Sequence, residues 1–155
     1  MTISLTENQT LVTTVEATDA DGDSLTFSST GLETDDGNFT IDPSTGALTF
    51  NNAPNFESAS DSNTDNDYVV GISVTDGTTP VTQIITVRVT DANEAPVIDQ
   101  GNSLAIPISE DGSPIGWLGT ALTASDPDAG DTAILIWSVS SAPSDGTADY
   151  SVFLG

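Results

Sequence analysis

"DYVVGISVTD" (67–76) and "TQIITVRVTD" (82–91) decide the fold. In the first stretch Tyr68, Val70, Ile72 and Val74 alternate with smaller or more polar neighbours. In the second, Ile85, Val87 and Val89 share one side, and Ile84, Thr86 and Arg88 the other. Successive side chains of an extended chain point to opposite faces, so a period of two marks a strand with one face in a core. Enrichment in Thr, Val and Ile agrees with a pleated, half-buried surface.

The same period recurs outward from these two stretches. "SLTFSS" (24–29) offers Leu25 and Phe27, "NFTI" (38–41) offers Phe39 and Ile41, and "ALTF" (47–50) offers Leu48 and Phe50. "DPSTG" (42–46) joins the last two pieces, with Pro43 early and Gly46 at the end, as a tight turn prefers. No stretch carries a period of 3.6. Short strands every eight to twelve residues or so predict an antiparallel β-sandwich.

Composition bounds the function. The 155 residues suffice for one ordinary domain or two small ones. Asp and Glu number 24 against a single cation, Arg88, giving a net charge of -23. This excludes nucleic-acid binding as a main activity, because phosphate contacts need Lys and Arg. Anionic membrane surfaces are disfavoured for the same reason. An acidic chain instead attracts metal cations or stays soluble in salt. No run of eighteen apolar residues exists, so no membrane insertion is expected. "MTISLTENQT" (1–10) lacks the basic start and apolar core of a signal peptide, and Met1 reads as the start of an internal fragment. With no His, Cys or Lys, triad, thiol and Schiff-base chemistries are absent, and zinc lacks its preferred ligands. Paired carboxylates cleave glycosides in other proteins, but nothing here marks a cleft. The chain is not expected to be an enzyme.

Acids cluster in two places. "TDADGDS" (18–24) sets Asp19, Asp21 and Asp23 at alternate positions, and "SDPDAGD" (125–131) repeats the crowd about a hundred residues later. "SLTEN" near the start and "PISED" (107–111) form a matching pair, Glu7 with Glu110. The repeat predicts tandem sandwiches with a boundary inside "DANEAPVI" (91–98), where Pro96 holds the chain extended.

In order, "TEN", "ATDADGD", "FTIDPSTGALTF", "NFES", "ISVTDG" and "VTDANEAP" resemble a cadherin repeat, in the form found in bacterial surface proteins, including large calcium-dependent adhesins of the RTX type. The resemblance covers residues 3–96, and a second unit matches from about 97. It implies two Ig-like Greek-key β-sandwiches, residues 1–94 and 95–155, with calcium ions between them. Calcium takes six to eight oxygen ligands at about 2.3–2.6 Å, which suits carboxylates, Asn amides and carbonyls. Carried over residue by residue, the resemblance places Glu7, Glu57, Asp91, Asn93 and Glu94 at the junction, completed by Asp126 and Asp128 from the second unit. Asp19, Asp21 and Asp76 form an N-terminal half-site for a preceding domain. Asn55 stands where the family has an acid, and "DANEAP" is one residue shorter than the vertebrate linker, so two junction ions are expected rather than three.

The implied role is a calcium-rigidified spacer on the bacterial cell surface, extracellular, whose partners are neighbouring repeats of the same adhesin. Two other roles stay open: a module that itself binds a glycan or peptide, and an accessory domain of a secreted polysaccharide hydrolase. Residues 97–155 stop before the counterparts of "IDPSTG" and "NFES", so an inserted domain or a second chain is expected to complete them. Trp137 aligns with Phe27 as core, while Trp117 packs a sandwich edge or faces a ligand. "DSNTDND" (61–67) lacks the Gly and Glu of an EF-hand loop. It is a solvated loop or a further ion site. Arg88 is expected to point outward.

Overall fold

A computed structural model describes residues 1–99, 123–128 and 135–136. The chain divides into two compact units, Met1–Ala92 and Asn93–Gly155. The first contains β1 (Thr2–Thr6), β2 (Leu11–Thr14), β3 (Thr26–Ser29), β4 (Phe39–Ile41), β5 (Ala47–Phe50), β6 (Asp67–Thr75) and β7 (Val81–Thr90). One sheet has the order β1-β7-β6-β3 and the other β2-β5-β4, a sandwich-like arrangement. The all-β class expected from the period-two pattern is the one observed.

The alternation sorts the side chains as the sequence predicts. Tyr68, Val70 and Ile72 on β6, and Ile85, Val87 and Val89 on β7, are buried and meet Phe39, Leu48 and Phe50 of the other sheet. Each such side chain contributes about 1.5–3 kcal/mol through burial. Phe39 and Phe50 lie 4.3 Å apart between ring centroids, and Tyr68 forms a T-shaped pair with each. The Tyr68 hydroxyl, carried into the core by its ring, accepts the Ser60 N–H at 3.0 Å. On the outward side, Ile84 is exposed and Arg88 pairs with Asp67.

The hairpin between β4 and β5 follows from its turn chemistry. Asp42 Oδ1 accepts the N–H groups of Ser44 and Thr45 at 2.9 and 2.8 Å. Those bonds, Thr45 first, hold the Asp42 carboxyl below the usual range. Gly46 has a φ of 71°, and a Cβ there would collide with the Val15 carbonyl, so glycine is required.

One expectation is corrected. The sheets are not wholly antiparallel: β1 runs parallel to β7, in register from Thr2↔Thr86 to Thr6↔Thr90. Two strands from opposite ends of the unit lie side by side in the same direction, which alternation within each strand does not encode.

In the second unit β8 (Val97–Ile98) pairs antiparallel with β9 (Ala124–Ser125). Trp117, Trp137, Glu110 and most of the segment expected to be completed by an inserted domain or a second chain lie outside the described residues.

Candidate metal centre

The parallel pair builds the site. Glu7 follows β1 and Asp91 follows β7, so pairing in the same direction delivers both to one end of the sandwich. The Glu7 N–H donates to the Thr90 carbonyl at 3.0 Å and extends the ladder by one residue. Glu7 is 1% exposed. Its Oε2 accepts the Phe56 N–H at 2.8 Å and its Oε1 accepts the Ala92 N–H at 2.9 Å. The first bond ties it to the turn carrying Glu57, the second to the end of β7. Oxygens of Glu7, Glu57 and Asp91 all lie within 4.8 Å of one another.

Three carboxylates at that spacing repel unless a cation sits among them. Arg88, the chain's single cation, is engaged elsewhere, donating to Asp67 through Nε and Nη2 at 2.7 and 2.6 Å. The donor set is all oxygen, with one member buried and two exposed, and matches a hard divalent cation such as calcium.

Asp126 and Asp128, expected from the second unit, cluster with Asn93 and Glu94. The latter two, expected on the first unit, fall in the second compact unit, Asn93–Gly155. The Glu94 N–H donates to Asp128 Oδ2 at 2.8 Å, and the Asp128 N–H to Asp126 Oδ1 at 3.0 Å. Asn93 Nδ2 donates to the Glu94 carbonyl at 2.9 Å. Asp128 is 7% exposed, and its Oδ1 is buried with no hydrogen-bond partner among the described residues. A buried acceptor left in that state is costly, and a bound cation would satisfy it.

The N-terminal set is less convergent. Asp19 and Asp76 line one cavity of about 300 Å³, whereas Asp21 is not among its lining residues. Asp19 Oδ1 accepts the N–H groups of Asp21 and Asp23 at 2.8 and 3.1 Å. These bonds, Asp23 first, hold its carboxyl below the usual range. Asp76 Oδ1 accepts the Thr78 N–H at 2.7 Å. Among the described residues these three acids do not close into a group like that of Glu7, Glu57 and Asp91.

The 61–67 loop uses its first acid on itself. Asp61 is 5% exposed, and it accepts N–H groups from Asn63, Asp65 and Asn66. Asn63 Nδ2 donates to Asp65 Oδ2 at 2.8 Å. These bonds organise a turn rather than present oxygens to an ion. Sequence reading missed the anchoring of Glu7, whose donors lie 49 and 85 residues away.

A cadherin domain model matches residues 1–95. The chain belongs to the cadherin domain family. Among solved structures, a two-domain fragment of human protocadherin-24 is similar, with a TM-score of 0.58 and 24% identity over 94% of this chain and 65% of the fragment. A four-domain fragment of Drosophila N-cadherin aligns with a TM-score of 0.53 and 25% identity over 90% of this chain and 35% of that one. The chain therefore spans less than two thirds of either fragment. No curated protein sequence matches it. Cadherin domains are extracellular adhesion modules rather than enzymes, and as a family they bind Ca2+. No helix among the described residues is long and apolar enough to cross a membrane.

Proposed function

We propose that this cadherin domain and the segment after it form a calcium-rigidified spacer of a large bacterial surface adhesin. The observation that carries the reading is the convergence of Glu7, Glu57 and Asp91 at the end of the first unit from which the chain leaves. With the second unit's Asn93, Glu94, Asp126 and Asp128, they supply the oxygen ligands that hold the ions. Ligands drawn from two units make binding and rigidity the same event, because metal is retained only while both contribute. The buried acceptor on Asp128 supports the second unit's share. The bacterial assignment is supported by the sequence form, "ATDADGD", "FTIDPSTGALTF" and "VTDANEAP". The spacer holds neighbouring ligand-binding domains of the same adhesin away from the cell.

Small-angle scattering tests this. Chelation of wild type, or Asp91→Ala in calcium, is expected to give a more flexible particle, while the circular dichroism of the first sandwich is retained. Equal rigidity with and without metal would sink the proposal.

A further inference from the structure

The β6 edge is covered by a device the metal chemistry does not use. Strand β3 pairs with β6 only over Ile72–Thr75, in register with Thr26–Ser29. Beyond Ile72, toward the start of β6, Val69 and Gly71 still direct their backbone groups to that side. Residues 30–38, between β3 and β4, satisfy all four of those groups. Thr30 N–H donates to the Gly71 carbonyl at 2.9 Å, and Asp35 N–H to the Val69 carbonyl at 3.3 Å. The two N–H groups go to side chains instead. Gly71 N–H donates to Asp36 Oδ1 at 2.7 Å, and Val69 N–H to Asp35 Oδ2 at 2.9 Å.

Each carboxylate is held from its other side. Asp36 Oδ2 accepts Thr30 Oγ1 and the Glu33 N–H, both at 3.2 Å. Asp35 Oδ1 accepts the Ser62 N–H at 2.8 Å, and Thr34 Oγ1 reaches Asp35 Oδ2 at 3.3 Å. Both acids are buried. The groups facing Asp36 are the Ser29 and Thr30 hydroxyls at the end of β3, the Glu33 N–H and the Gly71 N–H on β6. Its titratable chain neighbours are Glu33 and Asp35. Gly71 is what lets the segment cross, since a Cβ there would collide with Thr30 Oγ1 and crowd the Glu33 side chain. An unpaired strand edge is a template for pairing with another chain, so covering it has a purpose.

We propose that residues 30–38 are a carboxylate-pinned strap guarding the first half of the β6 edge, and that neutralising Asp36 lifts the strap as a unit while the sandwich stays folded.

Amide exchange in the full 155-residue chain tests the strap. The probes are Val69 and Gly71, which face it, and Val70 and Ile72, whose amides face β7 by alternation. At neutral pH, Asp36→Asn is expected to raise exchange at Gly71 and Val69 together by roughly tenfold or more, as for a lost hydrogen bond to a charged group. Val70 and Ile72 stay protected. Gly71→Ala should expose Val69 in the same selective way without removing a charge, because the added Cβ displaces the strap sterically. In wild type the selective loss appears on acidification, after correction for intrinsic exchange. Four amides changing together would show global destabilisation and overturn the proposal. So would faster exchange at Gly71 alone, or no change at either strap-facing amide.

Discussion

Two groups of acids in the first unit differ in where their oxygens look. Asp35 and Asp36 sit side by side in the chain, yet their oxygens accept backbone N–H groups of Val69, Ser62, Gly71 and Glu33. Glu7, Glu57 and Asp91 are far apart in sequence, yet their oxygens turn toward one another within 4.8 Å. Crowding in sequence therefore does not identify a cation site. Backbone donors alone do not separate the two groups, since Glu7 also accepts the Phe56 and Ala92 N–H groups. What marks a place for a cation is the convergence of several carboxylates on one another.

Calcium gives the largest expected separation. Metal bound to the folded state at a hundredfold excess over Kd stabilises by about 2.7 kcal/mol. For a sandwich of this size that is a rise in Tm on the order of ten degrees. Extracellular calcium modules bind in the range of about 10⁻⁴–10⁻³ M, so that excess is reached at about 10–100 mM calcium. Glu57→Gln should abolish most of the rise and leave the chelated protein no less stable than wild type, because it removes one of three mutually repelling charges. Equal melting curves in calcium and in chelator would erase the distinction between the two groups.

Asp36→Asn comes next, and it should act without regard to metal. The amide serves Gly71 with its oxygen only by turning its NH2 toward the Glu33 N–H, so one partly buried donor loses its acceptor. The loss of a hydrogen bond to a charged group costs about 1.5–3 kcal/mol. Denaturant midpoints with and without calcium should shift equally. A shift that depends on calcium would mean that the strap and the metal centre are one system.

Acid sharpens the same contrast more gradually. Burial works to raise the Asp36 carboxyl, but the Gly71 and Glu33 N–H groups and the Thr30 and Ser29 hydroxyls outweigh it and leave it below its ordinary value of 3.8. Its folded value is thus lower than its unfolded one. Its contribution is complete above the ordinary carboxylate range and is lost as pH falls through the lower folded value. In chelator, wild type and Asp36→Asn should differ at neutral pH and converge at the acid end. Curves that stay parallel throughout would show that the charge of Asp36 is irrelevant.

Much of this was legible in the sequence, for a physical reason. Alternation in 67–76 and 82–91 reports which face each side chain takes, and the buried Tyr68, Val70, Ile72, Ile85, Val87 and Val89 follow from it. Turn chemistry at Asp42 and Gly46 is local and was equally readable. What could not be read depends on contacts between distant segments. The direction of β1 relative to β7 is one, and it brings Glu7 to Asp91. The donors to Glu7 from Phe56 and Ala92 are another. Asp35 and Asp36 carry no motif. Their one sequence trace is Gly71, a glycine in the middle of a strong strand, which signals close approach of another segment.

The smallest effect belongs to a third kind of carboxylate, one answered by a cation at the surface. Asp67 and Arg88 face each other across β6 and β7, and both guanidinium bonds are short. The hydrogen bonds to Arg88, more than its charge, hold the Asp67 carboxyl below the usual range. The Arg88 side chain is 58% exposed, however, so water screens the pair and competes for its donors. Arg88→Gln should therefore lower Tm by less than Asp36→Asn does, and the difference should shrink in high salt, where screening shortens to about 3 Å. It should also leave the calcium-dependent rise intact, because Arg88 takes no part in the convergence of Glu7, Glu57 and Asp91. A loss as large as that of Asp36→Asn, unaffected by salt, would show that satisfaction by a surface cation is equivalent to satisfaction by buried N–H groups, and the ordering of the acids by their partners would fail.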